Sequence, residues 1–314
     1  LPLFLVLAIA AASLLASCAR LEGLRLRAAS VPATKALASK DLRPEARNLL
    51  ELCRDAATFS AERYGLPLGP SSLRYLGGRE GPLAWRLTVA PPQSLEGATT
   101  RLYAGRATAE SALKAATARG WSSHLEAWDS LAFLGQAPSP VFDGLSALPM
   151  ERIVEWVNRE LFAASAPKRM DGAARSAFAA FAAEMATRDY LAARLSPASP
   201  VLGSYISSKR DERTFASLYP DFLSRIQGLY AQKPLPEDWA ARRDFLIRTW
   251  LQDFRLNYPN RFITNAFKDF GQGGLNDAAL AAWHEIQPSY ADWQRRFAAT
   301  GSDLARLLKE LETR

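Results

Sequence analysis

Three observations predict a mainly helical (α+β) fold in a single domain. Six segments between residue 150 and the C-terminus carry apolar side chains at helical spacing. A single segment, 83–90, alternates roughly at period two and reads as a strand. No internal repeat or shift of composition divides the 314 residues into separate units. Hydrophobic residues make up 48% and charged residues 23%, enough apolar material to close a core, which excludes a disordered or fibrous chain. Two cysteines exclude a disulfide-dense scaffold and a four-cysteine zinc cluster. With His124 and His284 as the only histidines, a histidine-built metal site is also disfavoured.

In chain order, Leu1 to Ala16 is an uncharged, almost wholly apolar run. As a helix it would rise about 24 Å, short of the roughly 20 residues a hydrocarbon core requires. It therefore reads as the h-region of a secretory signal, residues 1–17, with a basic n-region expected ahead of it. The run ends Leu15-Ala16-Ser17-Cys18, which resembles the bacterial lipobox. Small residues let the extended chain enter a peptidase cleft, and the thiol accepts the diacylglycerol thioether. Cys18 is the expected lipidation site. Ala19, where an Asp would favour inner-membrane retention, points to the outer membrane facing the periplasm. Residues 18–40 are expected to tether the anchor to a domain spanning 41–314. Cys53 sits in a helical pattern and reads as a buried, inert thiol.

A helix over 42–64 closes at Gly65-Leu66-Pro67. The strand at 83–90 ends at Pro91-Pro92 and belongs to a small β element near residues 83–105. A helix over 107–119 stops at Gly120. Residues 127–149, with three prolines and two glycines, read as a long ordered loop. Helices follow at 150–164, 172–194, 211–231, 237–255, 276–298 and 301–312. Trp239, Phe245, Trp250 and Phe254, at near-helical spacing, are expected in the core rather than stacked on bases.

The net charge is +7, carried by 31 arginines and eight lysines. Mixed runs such as Lys209-Arg210-Asp211-Glu212-Arg213 and Arg242-Arg243-Asp244 read as solvated surface. No long single-sign run calls for a nucleic-acid partner. Attraction to an anionic membrane surface is the remaining reading of the excess.

Several stretches together resemble the bacterial predicted-aminopeptidase family, exported lipoproteins with a zinc-peptidase signature. These are Phe59-Ser60-Ala61-Glu62-Arg63-Tyr64-Gly65-Leu66-Pro67, Leu83 to Ala90, Tyr103-Ala104-Gly105, Ala127 to Leu134, Ser139-Pro140-Val141-Phe142, Leu275 to Leu280 and Gly301-Ser302-Asp303-Leu304. They keep the family's order over roughly residues 18–312. The resemblance implies a helical zinc-peptidase-like domain.

The same resemblance implies a metal site, and there the sequence departs. Family members carry Ile-Phe-His-Glu-Leu-Ala-His on a helix. Histidines at i and i+4 hold Zn²⁺ on one helical face, and the Glu acts as general base on the metal-bound water. The matching stretch here is Val157-Asn158-Arg159-Glu160-Leu161-Phe162-Ala163. Arg159 and Ala163 stand at the histidine positions, and Glu160 at the general base. The family's third ligand, a Glu on the next helix, corresponds to Ser176. With every ligand position substituted, no metal is expected, zinc being the alternative. Arg159 is placed four residues after Glu155, the favourable order for a helical ion pair. A fixed cation there also suits an anionic or carboxylate group.

Gly271-Gln272-Gly273-Gly274 lacks the spacing of a phosphate-binding fingerprint and reads as a turn. The sequence thus leads to an envelope lipoprotein that resembles an aminopeptidase but is expected to be catalytically inactive. It would bind a peptide, a cell-wall fragment or a partner protein. The alternative is an active zinc aminopeptidase with a divergent site.

Overall fold

The computed structural model describes residues 23–131, 137–286 and 290–313. The signal and lipidation readings at 1–18 lie outside the described residues. The order of elements is α1 (residues 23–29), β1 (Val31–Pro32), α2 (Ala33–Ala38), α3 (Pro44–Tyr64), β2 (Arg74–Leu76), β3 (Ala84–Ala90), β4 (Thr99–Tyr103) and α4 (Arg106–Ala118). Then come β5 (Ser122–Trp128), β6 (Val141–Phe142), α5 (Met150–Ser165), α6 (Gly172–Arg194), α7 (Pro200–Tyr230), α8 (Trp239–Arg261), α9 (Asp277–Ile286), α10 (Tyr290–Ala299) and α11 (Leu304–Thr313). The described residues are mainly helical with a small β part, as the periodicity predicts, but the β part forms two three-stranded sheets rather than one element near 83–105.

Local chemistry explains the boundaries. Pro44 opens α3 at a position where the missing N–H is no loss. Gly65 closes it in the left-handed conformation at φ 66°, which a side chain would strain. The Asp171 side chain accepts from Ala174 N–H and caps α6, and Ser199 does the same for α7 through Val201 N–H.

The sheet β4-β3-β5 is antiparallel with β3 central. β3 pairs with β5 from Ala84↔Trp128 to Ala90↔Ser122. Arg86, buried on β3, lies 2.6 Å from Glu126 and sits over the Trp128 ring at 4.1 Å. The strand β5 enters residues 120–128, which the sequence leaves without an element and partly assigns to a loop. The second sheet, β1-β2-β6, joins β2 to β1 antiparallel and to β6 parallel. Buried Asp143, just after β6, accepts from the Arg43 guanidinium at 2.6 Å, Gly78 N–H at 2.8 Å and the Tyr75 hydroxyl.

Residues 23–38 fall in the stretch expected to act as a tether; they are folded, with Leu26, Ala33 and Ala36 buried. Helix α7 starts at Pro200 rather than 211, and α8 runs on to Arg261 rather than 255. The helix expected over 276–298 is described as α9 and α10, with 287–289 outside the described residues.

Two apolar clusters hold the molecule together. The first spans Leu26 to Leu311, with α3, α5 and α6 meeting around Leu50, Cys53, Phe162 and Phe178. Buried Ala179, Ala182 and Ala186 leave room for the helices to approach closely. Helices α5 and α6 run antiparallel, since Phe162 meets Phe178 while Asn158 donates to Thr187 further along. The second cluster gathers aromatic side chains from α7, α8 and the segment 262–283 around Phe215. Trp250 and Phe254 join it, but Phe245 does not: it is 61% exposed. Among the described residues, no helix is long and apolar enough to cross a membrane.

Candidate functional site

The amphipathic pattern of α5 places Glu160 inside and Arg159 half-buried beside it. One Glu160 oxygen accepts from Ser139 N–H at 2.7 Å, and the Ser139 hydroxyl accepts from Leu131 N–H at 2.7 Å. The other oxygen, Oε1, is buried and has no hydrogen-bond partner among the described residues. Burial raises the Glu160 carboxyl above the usual range, and the nearby Ser130 and Ser139 groups and Arg159 only partly offset it.

Charged groups of both signs stand close by. Arg159 Nε is buried and unpartnered, and no ion pair reaches Arg159 within 4.0 Å among the described residues. The expected Glu155–Arg159 pair does not form, because Glu155 is taken by other cations. It lies 2.8 Å from Arg152 Nη1 and 2.6 Å from Lys209 Nζ. Arg152 also reaches Glu212 at 3.0 Å and the Ser208 hydroxyl at 2.5 Å, and Lys209 contacts Glu212 as well. Burial works against the charge on Glu155, yet Lys209 and Arg152 hold its carboxyl below the usual range. Asp129, whose Oδ1 is buried without a partner, is pushed upward by burial, with Arg159 opposing. Two acids whose neutral forms burial favours therefore lie near a guanidinium that makes no ion pair among the described residues.

A second arm of polar contacts leaves α6. Buried Glu184 lies 2.8 Å from Arg213 of α7, and Arg213 donates to Tyr290 at 3.3 Å. The run 209–213, read from sequence as solvated surface, is thus turned inward in part: Lys209 is 9% exposed and Asp211 is fully buried. Asp211 accepts from Ile263 N–H, Thr264 N–H and the Thr264 hydroxyl.

The structure separates the burial of the substituted positions. Ala163 is buried and Ser176 is exposed on α6. A guanidinium has no lone pair to give a metal, a methyl group has none at all, and a neutral serine hydroxyl is a poor zinc ligand. Glu160 has one oxygen held by Ser139 N–H. This donor set does not fit zinc. Among the described residues, no three His, Cys, Asp or Glu side chains converge in a way that could hold a metal ion. His124 lies on β5 opposite Thr88, with its Nε2 4.0 Å from Glu126. Burial, with Arg86, lowers its pKa, and Glu126 opposes. The His284 side chain lies outside the described side chains. Cys53 is buried, and burial pushes its thiol pKa up, which suits an inert thiol.

Sequence reasoning missed Asp129, Ser130, Ser139, Arg152, Lys209 and Glu212. The first three fall in segments that carry the family resemblance. The others sit where only the packing of α7 on α5 reveals them.

Glu160→Gln gives a test of whether this carboxyl works as a base or as a buried structural group. With the folded pKa raised, the folded state holds the proton more tightly than the unfolded state. Stability is then full below the ordinary Glu range and falls as pH rises through the raised value. Glutamine cannot ionise, so the variant should match the parent near pH 4 and melt at higher temperature at pH 7 to 8. Equal melting temperatures across that range would show that Glu160 carries no such penalty.

A family model described as "Putative aminopeptidase" matches residues 19–313. No curated protein and no solved structure matches the chain.

Proposed function

Because the chain belongs to the family described as "Putative aminopeptidase", we propose that it is a non-catalytic member, an envelope lipoprotein that binds rather than cleaves. The bound partner is a peptide, a cell-wall fragment or a protein presenting a carboxylate, and Arg159 is the group that receives it. The observation that carries this reading is the juxtaposition of Arg159, whose guanidinium makes no ion pair and whose Nε makes no hydrogen bond among the described residues, with Glu160, which is buried and tied to Ser139 N–H. A metallopeptidase base faces a metal-bound water. Here the first histidine position is a permanent cation, which repels a divalent ion and attracts an anion. The anchor is a diacylglyceryl thioether on Cys18, with the domain at the outer membrane facing the periplasm. Mass spectrometry of the mature N-terminus tests the anchor, since an unmodified Cys18 excludes it.

The experiment for the function is elemental analysis of protein purified without chelators, paired with hydrolysis of aminoacyl chromogenic substrates. The expected result is substoichiometric zinc and no chelator-sensitive turnover. Stoichiometric zinc with such turnover would establish the alternative, an active aminopeptidase with a divergent site. Arg159→His alone should restore neither property, because coordination needs three or four good ligands together.

A further inference from the structure

Helix α8 turns one face to the aromatic cluster and the opposite face to solvent. Inward go Ile247, Leu251 and Phe254, all buried. Outward go Phe245, 61% exposed, and Leu256, 70% exposed. Eleven residues separate these two, three helical turns, so they fall within about 20° of each other, roughly 16 Å apart along the axis. Beside this stripe stand Arg248 and Arg255, exposed, with no hydrogen bond, ion pair or ring contact among the described residues. The neighbouring carboxylates are already engaged. Asp238 is 2.8 Å from Arg242, Asp244 is 2.8 Å from Arg243, and Asp253 is 3.3 Å from Arg261. The face therefore keeps two uncompensated positive charges next to two large exposed apolar side chains. Thr249 and Gln252, also exposed, lie between them.

An exposed Phe and Leu gain nothing in water. Buried at the boundary between headgroups and acyl chains, they lose apolar surface while the arginines meet lipid phosphates. A cationic partner surface is excluded by charge. A purely apolar partner would leave Arg248 and Arg255 to be desolvated without compensation.

We propose that the outer face of α8 is a membrane-contact surface that lies against an anionic lipid bilayer, with Phe245 and Leu256 inserted and Arg248 and Arg255 on the headgroups. This contact is independent of the proposed Cys18 anchor and of any ligand at Arg159. It fixes how the domain sits on the surface rather than whether it is attached.

The test uses the full chain carrying Cys18→Ser, so that no acyl chain contributes. Co-sedimentation is measured with vesicles of phosphatidylcholine alone and with vesicles containing 30% phosphatidylglycerol. The apolar N-terminal run is common to all variants, so the readout is the increment caused by the anionic lipid. Phosphatidylglycerol should raise the bound fraction several-fold, and 0.5 M NaCl should reverse the gain. Arg248→Glu with Arg255→Glu should remove the increment, a loss of about tenfold or more in partitioning. Phe245→Ser with Leu256→Ser should weaken binding to the anionic vesicles while leaving the melting temperature unchanged, because both side chains are exposed. No difference between the two lipid compositions, or an increment untouched by the arginine reversals, would overturn the proposal. So would a change of oligomeric state in the Phe245→Ser, Leu256→Ser variant without any vesicle effect, which would assign the face to a second copy of the chain.

Discussion

Phe215→Ala is expected to destabilise the protein by about 4 kcal/mol and to lower its melting temperature by roughly 10 °C. Phe215 is 1% exposed and stands at the centre of the second cluster. Its ring stacks on Phe267 at 4.5 Å and meets Phe270 at 4.7 Å, Trp283 at 5.3 Å and Phe254 at 6.0 Å. Truncation removes the transfer energy of the ring, leaves a cavity and breaks several edge and face contacts at once. Rigid neighbours limit collapse into the gap. Phe215→Leu should recover more than half of the loss by refilling volume. Thermal unfolding followed by tryptophan fluorescence reports directly, since Trp250 and Trp283 flank the site. A loss below about 1 kcal/mol for the alanine variant would mean that the cluster is not closely packed around this ring.

Lys209→Met should be nearly as damaging, at about 3 kcal/mol. The ammonium joins Glu155 of α5 and Glu212 of α7, and the Lys209 and Glu155 side chains are 11% and 15% exposed. Removing the cation leaves Glu155 with Arg152 alone, its burial no longer outweighed as strongly. In the parent, the depressed Glu155 pKa supplies stability above the ordinary Glu range, lost as pH falls through the folded value. The variant forfeits that contribution, so its deficit should be full above the ordinary Glu range and shrink as the pH falls below it through the lowered folded value. Adding Glu155→Gln to Lys209→Met should relieve part of the loss, because no carboxylate then lacks its partner. If the double variant is as unstable as the sum of the single ones, the two groups are not coupled.

The parts of this fold that were legible share a physical basis. Helices α3, α4, α5 and α6 follow the expected ranges within two residues because periodicity, Gly65, Gly120 and Asp171 act locally. Strand β5 was not legible. Ser122-Ser123-His124-Leu125-Glu126-Ala127-Trp128 has no β-branched residue, and its extended form comes from seven positions paired with β3. The start of α7 was missed although Ser199-Pro200 is a cap followed by a first-turn proline. At the candidate site, Arg159 and Glu160 could be located by register within one helix. Lys209 could not, because a charged run looks the same in sequence whether a buried carboxylate waits for it or not. Phe245 shows the opposite error: its spacing matched the core stripe near Trp250, but it falls on the face of α8 turned away from Phe215.

The two apolar clusters differ in how soon a growing chain can finish them. Every buried member of the second falls between Phe215 and Leu280, so that unit closes as soon as those residues have emerged. The first draws on Leu26 at one end and Leu311 at the other, and Arg169 donates to the Leu311 carbonyl. Its last wall is therefore supplied by α11, which is made after every buried residue of the second cluster. A nascent chain arrested shortly after Trp283 would hold a formed aromatic unit beside a first cluster still lacking Trp293, Leu304, Leu307 and Leu311. Loss of α11 through premature termination should then spare the aromatic unit and expose the side of α3 that α11 packs against to holding chaperones and proteases.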